Sequence, residues 1–452
     1  MANEHTREGL KPTIGVSALA ISIINGIVGA GIFALPAIVG MQLGSYAVLA
    51  YLFCSIMMAA VMLCYAEIGS RIKTSGGSYA YVQAAFGNFT GYIINWLFFF
   101  GWNVLGSAAI ANIIADFLAV LFPVLLNPFA RAALFFVMIS LMVIINIRGV
   151  KQGMGLVKVL TIIKLIPLFG IIIFGFGYVN TGNLAWQNLP SINTFSGATL
   201  TLFYAFAGFE TCLGVSGEIK DHKRTVPRGI ILGGLIVMLL YMLLQTVTQG
   251  VLGAGMASFK DAPLAAVAER IVGPVGASIL LVAGAISCFG NISADIMCTP
   301  RALFAGANNG MFPKLLGRVH PKFATPYIAV AIYGALIFIF SISGGFKQLA
   351  VLASAAILLV YLAVILATVK LRRKKEAVSP AFKAPGGLVL PFIGIAAIIW
   401  LLTSLNRWEI LSTVIFIATV ILMYCITPRM QDNDELIVPE DIGLQPEATE
   451  GH

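Results

Sequence analysis

The sequence predicts an all-α integral membrane protein that crosses the bilayer about twelve times, and three observations carry that reading. The 452 residues are 59% hydrophobic and 10% charged, with a mean hydropathy of +0.95, against about 25% charged and roughly 45–50% apolar in globular chains. Long apolar segments recur along nearly the whole chain, and the basic residues gather in alternate gaps between them. A soluble fold of this length needs more charge on its exterior, whereas each ionised group placed in hydrocarbon is costly. Collagen, coiled coil and extended disorder fail for want of a Gly-X-Y period, a charge-flanked heptad, or a polar tract ahead of the C-terminal tail.

The apolar segments fall near 14–38, 43–67, 86–122, 132–147, 155–178, 195–217, 229–252, 274–303, 326–342, 347–369, 389–404 and 409–427. At roughly 20 residues per crossing, twelve spans and short loops account for the length. Segment 86–122 is long for one tilted span and too short for two joined by a loop. The opening stretch 1–12 is too polar for a cleavable signal, so the first span is retained. The tail 429–452 is acidic, carries Pro and Gly, and reads as disordered.

If the N-terminus is cytoplasmic, the cytoplasmic gaps hold 21 Lys and Arg residues and the opposite gaps hold 5, namely Arg131, Lys260, Arg270, Lys347 and Arg407. The positive-inside rule then puts both termini in the cytoplasm. The formal charge of +9 serves topology against anionic lipid, and nucleic acid is not needed as a partner. The six cysteines lie inside apolar runs at no metal-ligand spacing and read as small hydrophobes.

Two spans carry interruptions. The first contains Ile27-Val28-Gly29-Ala30-Gly31-Ile32-Phe33 with Pro36 behind it, and the sixth contains Tyr204-Ala205-Phe206-Ala207-Gly208-Phe209-Glu210. Glycine weakens a helix by about 1 kcal/mol relative to alanine. Gly-x-Gly also serves close helix packing in membranes, but two breaks at corresponding places in two halves point to a central binding site. Unwound backbone at mid-membrane survives where it lines a cavity. Its N–H groups would attract a carboxylate and its carbonyls an ammonium.

These residues resemble the amino acid–polyamine–organocation transporters. The Gly29-Ala30-Gly31-Ile32-Phe33 stretch looks like that family's first-helix signature, and further motifs match in order. They are Tyr65-Ala66-Glu67-Ile68-Gly69 with 75–81, Phe206-Ala207-Gly208-Phe209-Glu210 with 217–228, and Thr299-Pro300-Arg301 with 309–313 and Thr325-Pro326. The resemblance covers about residues 12–427. It implies a first inverted repeat over 13–180, a second over 181–370, two peripheral helices over 384–428, discontinuous first and sixth helices, and alternating access.

The titratable residues refine this expectation. Lys164 lies mid-span, too deep to snorkel easily, and a buried lysine readily changes protonation state. By resemblance its ammonium stands where sodium sits in sodium-driven relatives, so Lys164 and Glu210 are the proton-coupling or gating candidates; a fixed brace is the alternative for each. Ile27, Gly29, Ala30, Gly31, Asn103, Tyr204, Phe206, Ala207, Gly208 and Asp295 are the substrate-binding candidates. Asp295 departs from the apolar or aromatic residue of most relatives. Ionised and facing inward it would favour a cationic side chain; otherwise it is protonated or paired with a neighbour such as Asn103. Glu67 reads as structural.

No enzyme is indicated, because His5, His222, His320 and His452 are terminal or in loops without metal-ligand spacing. No metal or cofactor is expected. The sequence points to a sodium-independent amino acid transporter of a cytoplasmic inner membrane, using protons or exchange. A transporter or antiporter of a basic amino acid, polyamine or amine-bearing adduct through Asp295 is the alternative, and a non-transporting sensor is the third class. Substrate and oligomeric state are left open.

Overall fold

A chain in hydrocarbon must satisfy its backbone polar groups internally, so apolar runs of this length become helices. The computed structural model describes residues 14–72, 77–148, 154–186, 188–260, 262–308, 314–323, 325–373 and 382–426. The expected N-terminal stretch 1–12, the tail 429–452, the 309–313 motif and residues 75 and 76 of the loop motif lie outside them.

The order begins with α1 (Val16–Ile27) and α2 (Gly31–Leu43), separated by a non-helical gap at 28–30. Next come α3 (Ala47–Arg71), α4 (Ser78–Phe86) and α5 (Asn88–Trp96), the last passing through a π-helical stretch, Leu97–Val104, into α6 (Leu105–Leu121). Then come α7 (Pro128–Ile147), α8 (Met154–Gly175) and α9 (Ile192–Phe203). A tight 3₁₀ turn, Tyr204–Phe206, extends α9; the chain breaks at 207–208 and resumes as a 3₁₀ segment, Phe209–Glu218. The remainder is α10 (His222–Leu252), α11 (Pro263–Val272), α12 (Pro274–Asn308), α13 (Tyr327–Ser343), α14 (Phe346–Arg373), α15 (Val389–Leu402) and α16 (Arg407–Ile426). Among the described residues the only β-type pairing is an isolated bridge between Ile14 and Ile219.

Among the described residues, eight helical runs are long and apolar enough to cross a membrane. The ambiguous segment 86–122 is one of them, a single run Asn88–Leu121 of 34 residues. Gly87, at φ +88°, sets it apart from α4. Local chemistry marks other ends: Ser191 caps α9 by accepting the Thr194 N–H at 3.1 Å, and Asn127 does the same for Phe129 at 2.8 Å with Pro128 as first helical residue.

The burial pattern is that of a bundle solvated by lipid. On α8, Thr161, Lys164, Leu168, Ile171 and Ile172 are buried, while Ile162, Ile163, Ile166, Phe169 and Ile173 are exposed. The helix thus turns Lys164 inward and Ile162, Ile163, Ile166 and Ile173 outward, the reverse of a soluble amphipathic helix. α16 buries only Val420 and lies at the periphery.

Two polar rivets hold the ends of the bundle. Near one face, fully buried Glu67 accepts from Arg71 at 3.0 Å, Arg372 Nε at 2.8 Å and the Ala384 N–H at 2.9 Å, joining α3, α14 and the chain after α14. This agrees with the structural reading of Glu67. Near the other face, Arg131 pairs with Asp116 at 2.7 Å and donates to the Asn112 side chain, while Asn112 donates to the Ser341 carbonyl.

The cysteines are free: Cys54, Cys64 and Cys288 are buried, Cys212 is half-buried, and Cys298 and Cys425 are exposed.

Candidate functional site

The first break leaves helix geometry at Val28 (φ −72°, ψ 81°), and α2 restarts at Gly31. A helix that starts afresh presents N–H groups without intrahelical partners, and one that stops leaves carbonyls behind. Three of those carbonyls are already engaged. Lys164 Nζ donates to the Asn25 carbonyl at 3.1 Å and the Val28 carbonyl at 2.8 Å, and the Tyr241 hydroxyl donates to Ile27 at 2.9 Å. Asn291 Oδ1 lies 3.5 Å from the same ammonium. Lys164 is 1% exposed, so each of its N–H groups needs an acceptor, and each has one. Charge-assisted bonds of this kind contribute about 1.5–3 kcal/mol each.

The second break follows the 3₁₀ turn: Ala207 is extended and Gly208 adopts φ +119°, a conformation that suits glycine. Glu210 folds back so that Oε2 accepts the Gly208 N–H at 3.1 Å and the Tyr361 hydroxyl of α14 at 2.6 Å. Its other oxygen, Oε1, is buried without a hydrogen-bond partner. Tyr204 reaches across to α6 and donates to the Gly106 carbonyl at 2.8 Å, its ring 5.6 Å from Trp102 and 5.7 Å from Phe346. Phe206 packs between Tyr51 and Tyr241.

The two breaks touch. A methyl group added at Gly31 would stand 2.8 Å from Ala205 Cα, and one added at Gly29 would stand 2.8 Å from the Asn291 side-chain nitrogen. Ile27, Ala30, Tyr204, Phe206 and Ala207 are all buried around this contact. The structure therefore brings Ile27, Gly29, Ala30, Gly31, Phe206, Ala207, Gly208, Lys164 and Glu210 into one place, with Tyr204 bridging to α6.

Asp295 and Asn103 stand differently. Asp295 lies one turn after Asn291 on α12, half-buried, and its Oδ2 accepts the Ser107 hydroxyl at 2.9 Å. The neighbour that holds it is thus Ser107, not Asn103. Asn103 is buried in the π-helical stretch and donates to the Phe98 carbonyl of its own helix at 3.0 Å. Its amide is spent on the backbone instead of being turned to the breaks.

Sequence reasoning missed Asn291, Tyr241, Tyr361, Ser107 and Gly26. Asn291 had a legible signal, since it precedes Asp295 by four residues and so shares its helix face. The tyrosines had none, because an aromatic in an apolar run reads as packing.

Comparison with known proteins agrees with this architecture. A family described as amino acid permease matches residues 14–436. The chain is 28% identical over 411 residues to the serine/threonine exchanger SteT of Bacillus subtilis, covering 88% of this chain and 92% of that one. It is 24% identical over 440 residues to the branched-chain amino acid permease BcaP of the same organism, covering 93% and 94%. It is 28% identical over 334 residues to the mouse large neutral amino acids transporter small subunit 2, covering 71% and 63%. A helical, multi-pass membrane protein with two broken helices in contact at its centre, matched across nearly its whole length, this chain belongs to the amino acid permease family and is a transporter and not an enzyme.

Proposed function

We propose that this protein is a secondary active transporter of amino acids, sodium-independent, that works by alternating access through proton symport or amino acid exchange. The observation that carries the reading is the Lys164 ammonium seated on the Asn25 and Val28 carbonyls at the gap in the first span. A fixed protein cation there takes the place a sodium ion would need. The named substrates of the relatives (serine and threonine, branched-chain and large neutral amino acids) support an amino acid cargo.

In this reading the substrate carboxylate sits on the N–H groups of Ala30 and Gly31, where α2 begins, since that of Gly29 donates to the Ile27 carbonyl at 2.7 Å. Its ammonium takes carbonyls of Phe206–Gly208, since Lys164 and Tyr241 already hold those of Asn25, Ile27 and Val28. Ile27 and Tyr204 wall the pocket, and Lys164 and Glu210 act as the gating and proton-coupling pair. Residues 13–180 and 181–370 form the two inverted repeats of a twelve-span fold in a cytoplasmic membrane. Arg71, Arg301 and Arg372 mark the cytoplasmic face, with both termini on that side.

The test is reconstitution of the full-length protein in liposomes with labelled L-serine, L-isoleucine and L-arginine, at two luminal pH values, with and without trans amino acid. Uptake should proceed equally in sodium and choline buffers and respond to luminal amino acid or to a proton gradient. Failure to move any amino acid would sink the proposal.

A second reading, transport of a cationic cargo, is favoured by one observation: among the described residues Asp295 has one hydrogen-bonding partner, Ser107, and it stands one turn from Asn291, the α12 residue that abuts Gly29 of the first break. It requires that Asp295→Asn reverse a preference for arginine over serine.

A further inference from the structure

Asp295 belongs to a second chain of polar groups. Ser107 Oγ, which donates to Asp295, lies 3.4 Å from the Tyr333 hydroxyl of α13. Tyr333 is fully buried and also meets the Thr299 side chain, one turn beyond Asp295 on α12. One turn before Tyr333, Val330 lines a cavity whose other walls include Asn146, Met297, Arg301 and Thr325. That cavity lies where α7 and α12 end and α13 begins, and exposed Arg301 marks it as belonging to the basic face.

A carboxylate and two hydroxyls thus follow one another from Asp295, and a small cavity of mixed polar and apolar walls lies one turn from Tyr333 toward the basic face. A hydroxyl accepts a proton on one lone pair as it releases the one it holds, which suits it to relay protons where water is excluded. The other groups around Asp295 are Tyr204 and Glu210 from the second break and Cys298 on its own helix, with Arg301 beyond; Lys164 reaches α12 at Asn291. Arg301 is turned back on the Met297 carbonyl, and among the described residues no cation pairs with the acid.

We propose that Ser107 and Tyr333 form a hydroxyl relay through which Asp295 exchanges a proton with the basic face, making Asp295 a third coupling group with its own route to water. In loading, Tyr333 takes a proton from a hydronium ion that reaches it from the cavity one turn away and passes its own to Ser107. Ser107 passes its own to the Asp295 carboxylate. Each hydroxyl loses and regains one O–H bond, a water is left in the cavity, and one proton has crossed. Unloading is the reverse. The proposal rests on the transport reading above and deepens it.

The test uses the full-length protein in liposomes containing a pH-sensitive dye, with labelled L-serine and L-isoleucine as probes. In the unaltered protein an imposed proton gradient should accelerate net uptake. Tyr333→Phe and Ser107→Ala should each cut that acceleration about tenfold while leaving amino acid counterflow within about twofold. Asp295→Asn should abolish the gradient effect. Persistence of the gradient effect in Tyr333→Phe or Asp295→Asn overturns the relay, as does counterflow without any gradient effect in the unaltered protein; transport itself survives both results. A second arm needs no transport. The protonated-carboxyl infrared band should lose a pH-dependent component in Asp295→Asn, and that component should exchange with deuterium about tenfold more slowly in Tyr333→Phe. An unchanged band or exchange rate overturns the relay even where no amino acid moves, an outcome that would sink the transport reading separately.

Discussion

Gly26 and Gly208 meet backbone to backbone. A methyl group on Gly208 would stand 2.5 Å from the Gly26 carbonyl oxygen, and one on Gly26 would stand 2.8 Å from that of Gly208. The contact joins the two broken spans with no side chain between them, and the φ of +119° at Gly208 adds a second constraint. Gly208→Ala carries both the clash and a backbone strain of about 1–3 kcal/mol. Amino acid uptake should fall at least about tenfold while the protein elutes as a normal monodisperse peak in detergent. Wild-type uptake by this variant would show that the breaks need not touch.

Gly31 offers a sharper comparison. Its added methyl would meet the Ala205 backbone at 2.8 Å, whereas one at Gly197, on α9, would meet nothing within 4 Å. Gly31→Val should abolish substrate binding measured by scintillation proximity, and Gly197→Ala should leave it intact. Equal effects at the two positions would mean that helix propensity, not the site, is being read.

Removing the Lys164 side chain leaves the Asn25 and Val28 carbonyls without their donor. Lys164→Ala should therefore lose accumulation against a gradient while its KM for exchange changes only a few-fold. If the variant concentrates amino acid normally with an unchanged pH dependence, the coupling role is wrong.

Tyr241→Phe removes one hydrogen bond, to the Ile27 carbonyl, and keeps the ring that packs on Phe206. A loss of about 0.5–1.5 kcal/mol is expected, read as a several-fold weaker apparent affinity with Vmax preserved. A lowered Vmax with unchanged affinity would place Tyr241 in the conformational step.

Glu67 makes a stability prediction. Glu67→Gln leaves Arg372 facing a neutral amide in a buried site, where breaking a charge pair costs about 3–5 kcal/mol. The thermal midpoint in detergent should drop, and substrate affinity in the surviving protein should not.

Much of the fold was legible because hydropathy is a local property: apolar segments became helices, and the glycine-marked stretches at 28–30 and 207–208 became gaps. Lys164 was legible because a cation that deep in an apolar run needs an interior partner. What was not legible depends on helix winding and on neighbours distant in sequence. The π-helical stretch widens the turn around Asn103, so its amide meets the Phe98 carbonyl five residues back. Ser107, one turn on, is the residue that reaches Asp295 instead. Tyr361 lies 151 positions from Glu210, and no pattern in either segment announces their hydrogen bond.

The short bridge between Ile14 and Ile219, with the Lys220 N–H on the Ile14 carbonyl at 3.0 Å, ties together the stretches that flank the two gaps on the basic side. The bridge favours movement of α1 together with 209–218, since separating them breaks that backbone hydrogen bond. If the protein works by the alternating access proposed above, a disulfide engineered across that staple should leave opening toward the basic side unimpeded.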